Sequence, residues 1–528
     1  MSRSTRLTFL LSTVLVATLA GCTSCPVPPP VEAPPAPAAA PAPPPAPGEG
    51  PWNLTVFHVN DSHCSFLPEP ATWRDDRAPV GGVVALAAHL DEQRATATAS
   101  LLLDGGDFMT GNPFCEMEDG GVQGGAWMDM LNLLGFDAGV IGNHEFDLGR
   151  ENARALADRA NYPLMALDLR NESDELEFPT TPVVLERGDL LVGVIGVTCQ
   201  GLFEVCSETR VQGLSLDDQA ATARRWAAEL DPLTDLLVLI THNGAHTDSI
   251  LAGELVGAGI DLIVGGHSHT RLNDPLLVGG VLVVQAGSRL QNLGRLDLHV
   301  ADDRIVSYDG RLIQLLAEGR RASPEIEAAV AAAAARVDEA YGRVVGELAV
   351  SWRRDSRAES GVGDWICDAM RAATGADVAL LNSGTIRANF EPGPLTLLDI
   401  HTLLPFGNNL ETFEADGETL LHIARVNAQA AENGDHGIIQ VSGLHYAYTV
   451  ADGEARILEA TVGGQPIDPG RVYTVACPDY LVMQSDVYLD MARPGTAYAG
   501  GTVTGVVIDA IENAGVIGAA PGGRIVRK

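Results

Sequence analysis

Ala138-Gly139-Val140-Ile141-Gly142-Asn143-His144-Glu145-Phe146-Asp147 joins a short apolar run to a cluster of metal-liganding and acid–base side chains. Short apolar runs bounded by glycine read as buried strands. In layered α/β folds the loops leaving the strand ends are where sites are built. The same arrangement recurs four more times. Residues 54–59 lead into Asp61-Ser62-His63, and Leu101-Leu102-Leu103 into Asp104-Gly105-Gly106-Asp107. Residues 236–240 lead into Thr241-His242-Asn243-Gly244, and Leu262-Ile263-Val264 into Gly265-Gly266-His267-Ser268-His269. One such loop carries little information. Five predict the strands of one α/β unit whose loops converge on a metal centre.

Asp61, His63, Asp107, Asn143, His242, His267 and His269 supply carboxylate, amide and imidazole donors. Zinc in a catalytic site takes about three protein ligands plus water. These candidates therefore suffice for two ions if one carboxylate bridges them. Asp107 is the natural bridge, because Gly105 and Gly106 let the backbone approach a crowded site. Two cations roughly 3.5–4 Å apart can clamp a phosphoryl group during in-line displacement. His144 stands outside the ligand set and is expected to stabilise the transition state or protonate the leaving oxygen. Asp147, three residues on, is spaced to orient its ring. Mixed imidazole and oxygen donors suit zinc, manganese or iron better than calcium or magnesium.

Taken in order, Asp-x-His, Gly-Gly-Asp, Gly-Asn-His-Glu-Phe-Asp, Thr-His-x-Gly and Gly-His-Ser-His resemble the calcineurin-like metallophosphoesterase superfamily. The two-domain layout is similar to bacterial periplasmic and surface 5′-nucleotidases over about residues 54–528. That resemblance implies an α/β fold in two domains, an N-terminal α/β/β/α sandwich and a C-terminal α/β nucleotidase domain that binds the nucleoside. It also implies one metal held by Asp61, His63, Asp107 and His269, and a second held by Asp107, Asn143, His242 and His267. His144 with Asp147 would be the catalytic dyad. In the second domain, Asn382-Ser383-Gly384-Thr385-Ile386-Arg387 is similar to the family's Asn-Gly-Gly-Gly-Ile-Arg segment, whose Asn and Arg contact substrate. The family's second arginine falls on Ser356, with Arg353, Arg354 and Arg357 as neighbouring candidates. Of its two base-stacking rings one matches Tyr480, while the other falls on Ile438. Its Gly-Gly-Asp-Gly element is Gln484-Ser485-Asp486-Val487 here, keeping only Asp486. Stacking contributes roughly 1–3 kcal/mol per base, so an isoleucine in place of a ring predicts modest discrimination among bases.

Composition bounds the partners. The chain has 528 residues, 69 acidic against 34 basic, for a net charge of −35. Affinity for a nucleic-acid polymer through a basic face is therefore not expected. Arg3 and Arg6 precede an apolar stretch, 7–20, that ends in Leu19-Ala20-Gly21-Cys22. This resembles a bacterial lipoprotein signal over 1–22, with Cys22 as lipid acceptor and an extracytoplasmic, membrane-anchored location. Residues 23–50 are mostly proline and alanine, a composition that favours extended polyproline II and reads as a stalk. A metallophosphoesterase domain is expected over 51–318, a linker over 319–346 and the C-terminal nucleotidase domain over 347–528. Ser323-Pro324-Glu325 marks a helix start, and the alanine-rich stretch to Val337 reads as a solvated linker helix. Cys64 and Cys115 flank two of the site loops and would pair if those loops meet. Cys199 and Cys206 are close enough in sequence to close a short loop.

The favoured reading is a lipid-anchored, two-metal phosphohydrolase that acts on nucleoside 5′-monophosphates or other small phosphate esters. A second keeps the metals and changes the substrate to a 2′,3′-cyclic nucleotide, a nucleotide sugar or the sulfur substrate of thiosulfohydrolases. A third, from another class, is a non-catalytic surface lipoprotein that binds ligand or metal. The complete ligand set argues against that third reading.

Overall fold

The structure is a computed structural model that describes residues 52–528 apart from 72, 302–303, 434–436 and 521. The expected signal segment with Cys22 and the stalk lie outside the described residues. The first domain is built on two six-stranded sheets. In one, the strands Trp52–Val59, Ser100–Asp104 and Ala138–Val140 run parallel in that spatial order. In the other, Leu236–Ile240 pairs parallel with Leu262–Val264. Parallel pairing places the carboxyl ends of neighbouring strands at the same edge of each sheet, where the five loops begin.

Strand alternation explains the layering. Leu54, Val56, Leu101 and Leu103 pack into one core with Val192, Val238 and Val264 of the second sheet. Phe57, Val59 and Leu102 pack into a second core with helix residues such as Leu86, Leu90 and Trp127. Successive side chains of a strand point to opposite faces, so each strand is buried on both sides and reads as a continuous apolar run. Helices cover the outer faces, giving the expected α/β/β/α sandwich. They include Val83–Arg94, Gly125–Asn132, Arg150–Arg159 and Gln219–Leu230.

The helix Pro324–Tyr341 starts where expected, with the Ser323 hydroxyl accepting from the Ile326 amide at 3.3 Å. It is not solvated. Ile326, Val330, Ala333 and Val337 form a stripe at helical spacing, and all are buried in the first-domain core. Tyr341, at its end, meets His401 of the second domain edge-on at 5.0 Å. The alanine content masks that stripe, and the helix acts as packing between the domains.

The second domain centres on a five-stranded sheet that includes Val378–Asn382, Asn409–Asp416 and Val472–Pro478. Gly361–Thr374 and Val503–Ala514 contribute to one buried core and Gly417–Asn433 to another. Cys64 and Cys115 form a disulfide. Cys367 and Cys477 are buried thiols, and burial pushes the pKa of both well up. Among the described residues no helix is long and apolar enough to cross a membrane.

Candidate metal centre and substrate cleft

The strand-end loops are laced together by backbone bonds. Asp61 and His63 donate their amides to the carbonyl oxygens of Gly106 and Asp107 at 2.8 and 3.1 Å, and Arg289 donates to the Asp61 carbonyl at 2.7 Å. Asp61, His63, Asp107, His267 and His269 all have positive φ, between 46° and 74°. Such a backbone is unfavourable for residues with a Cβ, and runs of it mark sites where the surrounding structure holds a conformation that function needs. Two glycines make the approach possible. A Cβ on Gly142 would lie 2.3 Å from an Asp107 carboxylate oxygen, and one on Gly266 would lie 2.6 Å from Nδ1 of His242.

These loops bring all seven proposed metal ligands together. Three overlapping groups have ligand atoms close enough to hold an ion: Asp61–His63–His269, His63–Asp107–His144 and Asp107–His242–His267. Asn143 joins the last of these, its Oδ1 2.9 Å from Nδ1 of His267. Second partners set the tautomers. His63 and His242 each place Nδ1 against a carbonyl oxygen, that of Met109 at 3.1 Å and that of Gly105 at 2.6 Å. A carbonyl only accepts, so both Nδ1 atoms carry a proton and both rings present Nε2 inward, where each offers a lone pair to a cation when the ring is neutral.

Those inward lone pairs are the test of whether cations fit. Nε2 of His242 lies 2.9 Å from Oδ2 of Asp107, yet both atoms are buried without another hydrogen-bond partner among the described residues. Nε2 of His63 lies 3.0 Å from Nε2 of His269, which in turn lies 3.3 Å from Oδ1 of Asp61. Electron pairs facing each other this closely need a proton or a cation between them, and the mixed nitrogen and oxygen donors suit a divalent metal. Burial, aided by His269 and His144, holds His63 well below the ordinary imidazole pKa, and burial aided by His242 lowers His267 to about 4. Both are neutral, as ligands must be. Burial opposes a charge on His242, but Asp107 and Asp61 outweigh it and raise its pKa to about 10. Burial likewise opposes the charge on Asp107, and His242, His144 and His63 outweigh it and hold its carboxyl well below the usual range.

His144 is placed differently. Its amide donates to Oδ1 of Asp107 at 2.9 Å, and its Nδ1 meets Oδ2 of Asp147 at 2.6 Å. The Thr110 hydroxyl donates to the same Asp147 oxygen at 2.6 Å. Nε2 of His144 therefore faces the centre, 4.0 Å from Oδ2 of Asp107. Glu145 carries no sequence signal that singles it out. It is fully buried and accepts from the amides of Gly142, Met109 and Asp107 at 2.7, 3.0 and 3.2 Å, pinning the loop that carries Asp107.

A cavity of about 300 Å³ opens from this centre between the domains. His144, Asp147 and Thr110 line it from the first domain, and Asn382, Phe406 and Tyr480 line it from the second. Phe406 stacks on the His144 ring at 6.2 Å and 21°, and the Arg387 guanidinium sits over Phe406 at 5.3 Å. Arg354 is the inward-facing member of the arginines near Ser356. Its Nη1 donates to the Ile386 carbonyl at 3.1 Å, and burial with Arg387 and Arg289 nearby lowers its pKa to about 10. Arg353 instead pairs outward with Glu391.

Two residues proposed from sequence are placed elsewhere. Ile438 is 1% exposed, its backbone bonded to Ser356 and Ser383, and it does not line the cavity. Asp486 sits in the short helix Ser485–Tyr488 and is also outside the lining, although Tyr488 is within it. Two further rings line the cavity with Tyr480: Tyr488, which meets it edge-on at 6.3 Å, and Phe406, in Leu404-Pro405-Phe406-Gly407-Asn408. A phenylalanine set between proline and glycine in a loop is the signal that could have found it.

Comparison with known proteins agrees with this geometry. Residues 54–271 match the model of the calcineurin-like phosphoesterase family, and residues 340–493 match that of the 5′-nucleotidase C-terminal domain. A 5′-nucleotidase of Vibrio cholerae is 26% identical over 98% of this chain and 98% of its own length. The trifunctional nucleotide phosphoesterase protein YfkN of Bacillus subtilis is 27% identical over 83% of this chain, which spans only 32% of that longer protein. The crystal structure of a 5′-nucleotidase precursor from Thermus thermophilus superposes with a TM-score of 0.77 at 27% identity, covering 90% of this chain and 99% of that one. A sulfate thiohydrolase SoxB from Thermus thermophilus shares the fold, with a TM-score of 0.73 at 20% identity over 90% of this chain and 96% of that one. Two matched domains, joined in one chain around a histidine and aspartate centre, show that the chain belongs to the 5′-nucleotidase family of calcineurin-like metallophosphoesterases and is a metal-dependent phosphoric ester hydrolase.

Proposed function

We propose that the protein hydrolyses nucleoside 5′-monophosphates to nucleoside and phosphate, using two divalent metal ions of the zinc, manganese or iron type. The observation that carries this reading is that one cavity contains both the His144–Asp147 dyad and the Phe406 and Tyr480 rings. A phosphoryl group at the centre would leave a base within reach of two aromatic platforms. Asp61, His63, Asp107 and His269 would hold one ion, and Asp107, Asn143, His242 and His267 the other. When bound, two such ions neutralise the phosphoryl group and make a nucleophile available at neutral pH.

The remaining steps belong to side chains of this chain. With Nδ1 engaged by Asp147, Nε2 of His144 is the atom that carries a proton to the leaving ribose oxygen. Asp147 stabilises the charged ring and fixes its orientation. Arg387 and Arg354 supply positive charge on the second-domain side, and no carboxylate among the described residues pairs with Arg354. Phe406 and Tyr480 hold the base, and Asn382, which lines the same cavity, supplies a polar contact. Ile438 and Asp486 are left outside this scheme.

We also propose that the enzyme works outside the cytoplasm, anchored by lipid on Cys22. The Leu19-Ala20-Gly21-Cys22 sequence supports this, as does the Cys64–Cys115 disulfide, a bond that persists in oxidising compartments. Substrate profiling tests the catalytic reading. Nucleoside 5′-monophosphates should be turned over with higher kcat/KM than 2′,3′-cyclic nucleotides, nucleotide sugars or a thiosulfonate ester. A clear preference for any of those three would overturn it.

A further inference from the structure

The first-domain wall of the cavity carries a cation for which the hydrolytic scheme has no use. Arg210 lies in the short helix Glu208–Val211 and is half-buried, and it lines the same cavity as Phe406 and Tyr480. Its backbone amide bonds to Ser207. Among the described residues its guanidinium makes neither a hydrogen bond nor an ion pair. Glu116, another lining residue, feels its charge from a distance: burial and Asp147 raise the Glu116 pKa, and Arg210 pulls it back down. The hydroxyls of Ser207 and Thr209 beside it are engaged with each other at 3.1 Å. One of those hydroxyls spends its proton on the other, whereas Arg210 is the cation lining this wall whose guanidinium donors, among the described residues, are all unspent.

A guanidinium presents paired N–H donors in a rigid planar fork and no acceptor. The base edge that matches such a fork is the O6 and N7 acceptor pair of a 6-oxopurine. Adenine offers N7 beside an N6 amine, which is itself a donor, and pyrimidines lack the pair altogether. With Phe406 and Tyr480 available to grip the faces of a base, the edge is left to polar groups of the cavity wall. We propose that Arg210 reads that edge and makes the enzyme selective for 6-oxopurine nucleotides, guanosine and inosine monophosphates, over adenosine monophosphate. This rests on the nucleotide reading above and narrows its substrate class.

The test is kcat/KM for GMP, IMP and AMP with the full-length, metal-loaded enzyme and two variants, with thermal melting to check that each variant folds. Wild type should prefer GMP and IMP over AMP by about 5- to 150-fold, the range a bidentate base contact supplies. Arg210→Ala should level that ratio. Arg210→Gln should turn it toward AMP, because a glutamine amide pairs with N6 and N7 of adenine. Equal use of all three substrates by wild type, or a parallel loss on all three in both variants, would overturn the assignment of Arg210 and leave the nucleotide reading standing. A parallel loss would also mean that the guanidinium binds a group common to all three. Failure of wild type to hydrolyse any of the three, with another ester turned over, would remove the nucleotide reading and this inference with it.

Discussion

Nε2 of His242 and Oδ2 of Asp107 face each other at 2.9 Å in the buried centre, and neither finds another hydrogen-bond partner among the described residues. With Nδ1 of His242 donating to Gly105, the two inward atoms are both electron-pair donors whenever the ring is neutral, and the same carboxylates that surround Nε2 raise the His242 pKa to about 10. The arrangement is stable only with positive charge at the point they share. Oδ1 of Asp107 is already occupied by the His144 amide, so Oδ2 is the oxygen left for a cation.

Asp107→Ala is expected to remove both activity and bound metal, since the proposed bridge serves two ions and its loss leaves them repelling each other. Metal analysis should fall from about two equivalents in wild type to well under one. Unchanged stoichiometry in the variant would rule out the bridging role.

His144→Asn should lower kcat by roughly 10²–10⁴, the usual scale for a lost acid–base group, with metal content unchanged. Its Nε2 faces the centre, while its Nδ1 is held by Asp147. Asp147→Asn should act in the same direction, because the amide no longer fixes the ring or stabilises its charge. Metal lost in proportion to activity would move His144 into the ligand set.

The metal centre was legible in the sequence because its signal is local. Each ligand follows an apolar strand within a few residues, and chain order alone places the loops at strand ends. The cleft was not, because its parts are distant in sequence and meet only through the packing of two domains. Ile438 precedes the strand Ile439–Ser442 and is buried with it. Phe406 lies in a loop with no periodicity to mark it. Glu145 shows a third kind of gap: a buried carboxylate that collects three backbone amides looks in sequence like any acidic residue of a loop. The helix Pro324–Tyr341 was located correctly and misplaced against solvent, since alanine fills both faces and hides the Ile326–Val330–Val337 stripe.

Stability should fall as pH rises from the acid range to about 8, through the network that ties the C-terminal strand Ile525–Arg527 to the helix Gly361–Thr374. Burial and the Glu359 carboxyl raise the Asp364 pKa from 3.8 to about 8, against the pull of Arg524. Arg524 also pairs with Asp368 at 2.7 Å, and Glu359 accepts the amides of Arg524 and Ile525. A folded-state pKa above the unfolded one means that the stabilisation is fully present below pH 3.8 and is lost as pH passes about 8. The urea midpoint of wild type should therefore drop as pH rises from 3.8 to about 8, the window between the unfolded and folded pKa values, and level off above it. Asp364→Asn, which cannot ionise, should flatten that drop. Identical pH profiles for the two proteins would exclude Asp364 as the source.

Phe406 and Tyr480 separate base binding from chemistry. Alanine at either position should weaken nucleotide binding by roughly 1–3 kcal/mol, the contribution of one aromatic stacking partner, and so raise KM by about 5- to 150-fold. Tyr480→Ala should leave hydrolysis of p-nitrophenyl phosphate close to wild type, because a small ester needs the centre and not the second ring. Phe406→Ala should also affect that ester, since its ring stacks on His144 as well as lining the cavity. Ile438→Phe makes the contrast. Had Ile438 stood where a stacking ring belongs, the substitution would tighten purine binding. At 1% exposure and outside the lining it should instead overpack the core, costing about 1–3 kcal/mol of stability, with no gain in nucleotide affinity. Steady-state kinetics and urea denaturation on the three variants decide between these outcomes, and tighter nucleotide binding by Ile438→Phe would return Ile438 to the site.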